Sequence, residues 1–260
     1  MKTKKKRRDK WHIGTTLVII AIFAFFIYKA IDTSSLLYPE NSAERTIEDF
    51  AKDHGLSLSD YPQSLIDLLE RNPETEDFVL NYPLLKDAKP AFSMEEYIDT
   101  SSVPLFMQWD KRWGYTEYGA DVLGLTGCGP TCLSMVAVYL LDDTTYDPAY
   151  MAEFSIDNGY CVVGNGTAWA LMSDGASALG LDVTEIPLDE QRIIDNLEVD
   201  NPIICIMGPG DFTSTGHFIV MTGYEDGKIV INDPNSRENS EKLWKYDDIK
   251  DQIRNLWVYR

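Results

Sequence analysis

The sequence predicts an α+β protein, because helical patterns come first along the chain and short strand-like runs follow. Apolar residues recur at helical spacing from residue 130 to about residue 181, whereas short apolar runs bounded by turn residues dominate after it. A tight turn at Asp226-Gly227 joins two of these runs, which indicates an antiparallel hairpin. The predicted helices of this part are 130–141, 148–159, 167–181 and 189–199, and the predicted strands are 181–187, 202–207, 217–225, 228–234 and 255–260.

The first 31 residues have the pattern of a membrane anchor. They carry eight Lys or Arg and one acid, and the apolar run 13–31 holds a single charge, Lys29. As a helix, this run spans roughly 28 Å, about the thickness of a bilayer core. A cleaved signal peptide is the alternative, but neither a small-residue cleavage site nor a cysteine for lipid attachment follows the run. We therefore predict a basic cytoplasmic tail (1–12) and a transmembrane signal anchor (13–31) in the lipid bilayer.

The positive charge before the anchor predicts its orientation. Basic residues stay on the cytoplasmic side, so the chain from about residue 35 onward is expected outside the cell. We therefore predict a single-pass protein of the cell membrane with an extracellular C-terminal domain, in a Gram-positive-type bacterium.

Residues 32–100 are predicted to form a small helical stalk. The first helix covers 41–55, with Asn41 as its N-cap and Glu44 three residues on. The second begins at Pro62 and stops at Pro73, and the third lies between Pro73 and Pro83. These helices contain no catalytic pattern, so we interpret them as spacing or packing elements.

Charge and composition limit the partners. Residues 32–260 carry 15 basic and 41 acidic side chains, a net charge of −26. So acidic a body repels nucleic acid and favours a neutral or basic substrate. The cysteine spacing lacks the second ligand pair of a zinc site, and no glycine loop suits a phosphate, so we predict neither metal nor organic cofactor.

Three residues at the ends of predicted elements, together with Gln108 in a loop, carry the chemistry. Cys128 opens the helix of "TGCGPTCLSMVAVYLL", where the helix dipole and free backbone N–H groups favour a thiolate. His217 begins one strand of the hairpin and Asp233 ends the other, so both are expected at the same end of adjacent strands. Thiol, imidazole and carboxylate are the parts of a nucleophile, a general base and its orienting group. The side-chain amide of Gln108 and the backbone N–H of Cys128 are candidates for an oxyanion hole.

Neighbouring residues are candidates for substrate binding. Gly127 and Gly129 leave room for a substrate backbone, and Trp109, with Trp113 and Tyr115 after it, is placed to flank the cleft. Trp169, Leu171 and Met172 either line a groove or belong to the core, and helical spacing favours the core. Each of the four chemical residues also has a structural alternative, such as a buried cysteine at a helix start.

The remaining cysteines leave a disulfide open. Cys132 lies four residues after Cys128 on one helix, a poor geometry for a bridge between the two. Cys161 and Cys205 are expected either as two buried thiols or as a disulfide with each other, and both alternatives stay open.

The segments "MQWDKRWGYTEYG", "TGCGPTCLSMVAVYL", "GHFIVMTGY" and "INDPNS", in this order, resemble the C39-like bacterial cysteine peptidases (family thirty-nine), which are related to bacteriocin-processing double-glycine-leader peptidases. The resemblance covers about residues 103–260. It implies a papain-like fold, helices on an antiparallel sheet, for a domain over 101–260. It also implies Cys128 as nucleophile, His217 as general base, Asp233 as orienting residue and Gln108 in the oxyanion hole. Cys132 departs from the family pattern, which has a small residue there.

The predicted function is hydrolysis of peptide bonds through a thioester on Cys128. The substrate is a peptide or protein, with cell-wall peptide among the candidates. Two alternatives stay open: an acyl transferase that passes the thioester to an amine, and an inert module that binds peptide or cell-wall fragments.

Overall fold

The computed structural model describes residues 42–88, 91–98 and 100–260. The predicted tail 1–12, the anchor 13–31 and the start of the stalk lie outside the described residues. Within the described part, no helix is both long and apolar enough to cross a membrane. The described part of the chain divides into two compact units between Ser59 and Asp60.

The first unit contains one described helix, α1 (Ala43–His54). Its N-cap is Ser42, whose hydroxyl oxygen accepts from the backbone N–H of Arg45 at 3.3 Å, so the predicted cap at Asn41 is one residue early. The helix ends at Gly55, whose φ of 70° is a left-handed conformation that glycine adopts at no steric cost.

The second unit combines helices with one large sheet and two small hairpins. Its helices are α2 (Gln63–Arg71), α3 (Glu76–Leu85), α4 (Leu123–Thr126), α5 (Cys128–Leu141), α6 (Pro148–Asp157), α7 (Ala176–Ala178), α8 (Glu190–Leu197), α9 (Arg237–Ser240) and α10 (Tyr246–Ile249). Its strands are β1 (Glu117–Tyr118), β2 (Asp121–Val122), β3 (Cys161–Val162), β4 (Gly166–Thr167), β5 (Val183–Ile186), β6 (Ile203–Met207), β7 (His217–Glu225), β8 (Lys228–Asn232), β9 (Leu243–Trp244) and β10 (Ile253–Tyr259).

The large sheet is antiparallel throughout, with strand order β5-β10-β6-β7-β8-β9. Asp226 and Gly227, with φ of 49° and 75°, make the two-residue turn between β7 and β8. The predicted α+β class and this hairpin are thereby confirmed.

Apolar layers cover both faces of the sheet. Ile204, Ile206 and Val220 share one core with the buried residues of α5, whereas Ile203, Cys205 and Ile219 alternate with them and share a second core with α8. α5 is buried from Gly129 to Val138 because it lies between this sheet and the other helices.

Two predicted helices differ from the structure. Residues 167–181 do not form one helix: Thr167 pairs with Cys161 in the β3–β4 hairpin, and a π-helical turn at Leu171–Gly175 precedes the short α7. Glycine at 175 and 180 weakens a continuous helix here. In the stalk, α3 continues through Pro83 to Leu85.

The second and third stalk helices belong to the same compact unit as residues 101–260. Phe78 of α3 is fully buried and stacks on Tyr115, with ring centroids 4.6 Å apart. The Tyr115 hydroxyl donates to the backbone oxygen of Phe78 at 2.8 Å. Residues 60–88 are therefore packed onto the sheet domain and do not stand apart from it.

Candidate active site

The start of α5 and one edge of the sheet bring three polar side chains together. Cys128 is the first residue of α5, His217 is the first residue of β7, and Asp233 directly follows β8. Because β7 and β8 form an antiparallel hairpin, the start of one strand lies beside the end of the other. His217 Nε2 lies 2.7 Å from Asp233 Oδ1, and both residues are buried.

The second oxygen of Asp233 is also held. Asn239 Nδ2 donates to Oδ2 at 2.9 Å, and the backbone N–H of Asn235 donates to Oδ1 at 2.8 Å. The backbone N–H of Asp233 itself donates to Ser240 Oγ at 2.9 Å. The carboxylate therefore has every partner that a buried charge needs to stay ionised and oriented.

The charges of the three residues support one another. Burial opposes ionisation of Asp233, but the charge and hydrogen bond of His217 outweigh it and lower the pKa of the carboxyl. Burial likewise opposes protonation of His217, but Asp233 and Cys128 raise the pKa of the imidazole above its ordinary value.

Cys128 is a thiol with a lowered pKa. Burial alone raises the pKa, but the hydrogen bond and charge of His217, with backbone N–H groups of Phe218 and Gly129, lower it below the ordinary thiol value. Since Nε2 of His217 bonds Asp233, Nδ1 is the ring nitrogen left for the thiol. This geometry favours a thiolate beside an imidazolium.

Gln108 lies in the same cleft. It is buried, and its Nε2 donates one of its two N–H groups to the backbone oxygen of Gly124 at 2.9 Å. This bond fixes the orientation of the side-chain amide, and the second N–H is free to donate to a substrate. Its Oε1 is buried with no hydrogen-bond partner among the described residues.

These residues open into a cleft of about 1030 Å³. Its walls include Tyr118, Thr167 and the loop from Phe212 to Gly216, which precedes His217. Trp169 lines the cleft and is 49% exposed, whereas Leu171 and Met172 are fully buried core residues. The other charged residues of the lining are Arg71, Asp121 and Arg254, so the cleft does not share the acidity of the body.

The two glycines beside Cys128 are explained by packing and not by room for substrate. A Cβ at Gly129 would lie 2.7 Å from the Cβ of Thr167, and a Cβ at Gly127 would lie 2.6 Å from the backbone oxygen of Leu123. Both spaces are already filled by the protein, which corrects the predicted substrate-binding role of Gly127 and Gly129.

The three aromatic residues that follow Gln108 are buried and do not line the cleft. Trp109 is buried, and its Nε1 donates to the backbone oxygen of Asn235 at 3.1 Å, so it braces the loop after Asp233 and does not flank the cleft as predicted. Trp113 and Tyr115 are likewise buried.

The other three cysteines are free thiols, so the Cys161–Cys205 bridge left open by the sequence is absent from the structure. Cys205 is buried in the central strand β6, and Cys132 is buried one turn after Cys128. Cys161 is partly exposed and lines the cleft. Burial raises the pKa of each of the three thiols, which separates them from Cys128.

Sequence reasoning missed the residues that hold Asp233. Asn235, Asn239 and Ser240 lie in "NDPNSRENS", whose density of Asn and Ser is typical of turns and helix caps. Ser236 caps α9 through its bond from the N–H of Asn239. No group of three or more His, Cys, Asp or Glu placed to hold a metal occurs in the described part of the chain.

A helix-on-antiparallel-sheet domain with Cys, His and Asp at the helix start and sheet edge has the architecture of papain-like proteins. The chain belongs to the Peptidase C39 like family, whose model matches residues 100–260.

Two solved structures are similar. The peptidase domain of Streptococcus ComA, a bifunctional ABC transporter involved in a quorum-sensing pathway, has 22% identity and a TM-score of 0.42, and the match covers 60% of this chain and 96% of that one. A putative C39-like peptidase from Bacillus anthracis has 17% identity and a TM-score of 0.37, with 61% and 94% covered. No curated protein matches the sequence.

Proposed function

We propose that the protein is a cysteine peptidase in which Cys128 is the nucleophile, His217 the general acid and base, and Asp233 the orienting group. The observation that carries this proposal is the placement of Cys128, the first residue of α5, beside a buried His217–Asp233 pair whose Nε2 and Oδ1 atoms lie 2.7 Å apart. That arrangement lowers the pKa of Cys128, because the hydrogen bond and charge of His217 outweigh its burial. Membership of the Peptidase C39 like family supports it.

The first half-reaction forms a thioester. The Cys128 thiolate attacks the carbonyl carbon of the scissile peptide bond, and the carbonyl electrons move onto oxygen. The backbone N–H of Cys128, at the first position of α5, and the remaining N–H of Gln108 donate to that oxyanion. The His217 imidazolium gives its proton to the leaving nitrogen, the C–N bond breaks, and the amine departs.

The second half-reaction returns the enzyme. Neutral His217 takes a proton from water, and the resulting hydroxide attacks the thioester carbon. The C–S bond then breaks, the acid product leaves, and the proton stays on His217 beside the Cys128 thiolate. Asp233 keeps Nε2 of His217 engaged throughout, which leaves Nδ1 facing the reaction.

The proposed substrate is a peptide or protein, including cell-wall peptide. The cleft is at the upper end of the volume range of small-molecule pockets, which suits an extended chain better than a compact metabolite. The exposed Trp169 offers an apolar contact for a substrate side chain.

We also propose that residues 13–31 anchor the protein in the cell membrane with residues 101–260 outside. The support is the apolar run and the basic cluster before it. Protease added to intact cells is expected to remove the C-terminal domain and spare an N-terminal tag, whereas protection of the domain would overturn this orientation.

The activity is tested on the full-length chain with a mixed peptide library in H₂¹⁸O. Wild type is expected to release new C-termini that carry one ¹⁸O, and Cys128→Ala to release none while keeping the wild-type melting temperature. Turnover by Cys128→Ala would overturn the proposal. Products joined to a second amine, without ¹⁸O, would instead identify acyl transfer, and binding without products would identify an inert module.

A further inference from the structure

Two residues that precede the matched family domain contact the loop after Asp233. Asn72, at the C-terminal end of α2, donates through Nδ2 to the backbone oxygen of Asn235 at 2.7 Å. Glu74 follows in the turn between α2 and α3. Both lie outside residues 100–260 and inside the same compact unit.

The carboxylate of Glu74 binds the start of α9. Its Oε1 accepts from Ser236 Oγ at 3.0 Å and from the N–H of Glu238 at 3.4 Å, and its Oε2 accepts from the N–H of Arg237 at 2.9 Å. These are charge-assisted bonds to groups that the helix itself cannot satisfy. A four-residue helix has too few internal bonds to hold its own position, so an outside partner matters here.

α9 in turn holds Asp233. Asn239 donates to Asp233 Oδ2 and Ser240 accepts from the Asp233 N–H, both at 2.9 Å. Ser236 joins the two ends, because its Oγ donates to Glu74 and accepts from the N–H of Asn239 at 3.1 Å. Hydrogen bonds therefore run without a break from Glu74 through α9 to Asp233 and on to His217.

We propose that Glu74 is a positioning residue for the Asp233–His217 pair, so that the helical segment before the family domain is part of the active-site apparatus. This inference rests on the proposed function. Without Glu74, α9 loses three bonds at its start, and Asn239 holds Asp233 Oδ2 less fully. A less well oriented Asp233 supports the imidazolium less, and the thiolate fraction of Cys128 at low pH falls.

The test compares Glu74→Ala and Glu74→Gln with Glu76→Gln in the full-length chain. Glu76 is a matched control: it lies two residues away, is exposed, and makes no side-chain hydrogen bond or ion pair among the described residues. Alkylation of Cys128 by limiting iodoacetamide is followed by mass spectrometry from pH 5 to pH 9, together with peptide turnover and thermal unfolding.

At pH 6 we expect Glu74→Ala to slow alkylation of Cys128 by about three- to ten-fold, with Glu74→Gln between it and wild type. At pH 9, where a Cys128 with even the ordinary thiol pKa is largely ionised, the rates are expected to converge. The control should follow wild type at every pH. Peptide turnover is expected to fall in kcat with KM little changed.

A second comparison keeps the proposal testable if Glu74→Ala is poorly folded. Since Glu74 acts through α9, the loss caused by Asn239→Ala should be smaller in Glu74→Gln than in wild type. If the two substitutions reduce low-pH alkylation of Cys128 additively, Glu74 does not act through α9.

The pH profile of Cys128 alkylation separates failure of the proposed function from failure of the role of Glu74. A wild-type Cys128 with the pH profile of an ordinary thiol would overturn the proposed function and the role of Glu74 with it. A low-pH reactivity that is present in wild type and unchanged in Glu74→Ala would overturn the role of Glu74 alone.

Discussion

His217 and Asp233 are sixteen residues apart in sequence and 2.7 Å apart in space, because the β7–β8 hairpin returns the chain to the same edge of the sheet. That edge faces the first residue of α5, where Cys128 lies. The pKa values of all three groups shift in the direction that favours a thiolate, an imidazolium and a carboxylate together.

Neutralising Asp233 should disable catalysis without removing the fold. We expect Asp233→Asn to lower kcat by about 10²- to 10⁴-fold, because an amide does not hold His217 in the same tautomer. Steady-state kinetics on a cleaved peptide measure this. Asp226→Asn, at the far end of the same hairpin, is the matched control, since Asn also adopts the left-handed φ of 49° found there. Equal kinetics for the two variants would contradict the role of Asp233.

The rate should follow a bell-shaped dependence on pH. Its acid limb reports ionisation of Cys128 and lies below the ordinary thiol pKa of about 8.5, since that pKa is lowered. Its alkaline limb reports loss of the proton from His217 and lies above the ordinary imidazole pKa of about 6.5, since that pKa is raised. The measurement is kcat/KM from pH 4 to pH 11. A rate that rises only above pH 8.5 is incompatible with a preformed ion pair.

The same shifts predict how stability depends on pH. Asp233 has a lowered pKa in the fold, so its contribution is present above the ordinary carboxyl pKa and is lost as pH falls through the lowered value. His217 has a raised pKa, so its contribution is present below the ordinary imidazole pKa and is lost as pH rises through the raised value. Wild type should therefore exceed Asp233→Asn most between about pH 4 and pH 6.5, by on the order of 1–3 kcal/mol. Thermal unfolding from pH 3 to pH 9 tests this, and a constant difference would contradict it.

Gln108 should contribute to the rate more than to substrate binding. Gln108→Ala is expected to lower kcat by about 10²- to 10³-fold with little change in KM, since an oxyanion donor acts in the transition state. The variant also loses the bond to the Gly124 oxygen, so melting temperatures must accompany the kinetics. A Gln108→Ala variant with the wild-type kcat would contradict the role of Gln108 as an oxyanion donor.

The contact between Gly129 and Thr167 should make Gly129 intolerant of a side chain. A methyl group there would lie 2.7 Å from the Thr167 Cβ, so we expect Gly129→Ala to destabilise the protein by about 1–3 kcal/mol. Gly216→Ala is the control, because its Cβ would meet nothing closer than 4.0 Å. Denaturant unfolding compares the two, and equal stability would contradict the packing explanation.

The sequence predicted the elements whose signals are local. The Asp226-Gly227 turn, the apolar strands and the helix after Cys128 follow from neighbouring residues, and the hairpin alone brings the ends of β7 and β8 together. Cys128, His217 and Asp233 could be named because each lies at the end of such an element, whereas Gln108 lies in a loop. The resemblance to the C39-like peptidases added the fold.

Long-range contacts could not be predicted in this way. Thr167 fills the space above Gly129 because β3 and β4 pair, and the sequence pattern there had favoured a helix. Glu74 reaches α9 across more than 160 residues, so the predicted stalk gave no sign of its contact with the Asp233 loop. An aromatic residue such as Trp109 can either line a cleft or pack inside the protein, and the sequence pattern is the same in both cases. In the structure it is buried and bonds the Asn235 backbone oxygen.

The most direct test of the central claim is the reactivity of the four thiols in one sample. Full-length wild type and His217→Ala are labelled with limiting iodoacetamide from pH 5 to pH 9, and each cysteine is quantified. Cys161 is the internal reference, since it lines the same cleft but burial raises its pKa. We expect Cys128 alone to react at pH 6 in wild type and to lose this low-pH reactivity in His217→Ala. Reaction of Cys128 no faster than Cys161 at pH 6 would contradict it.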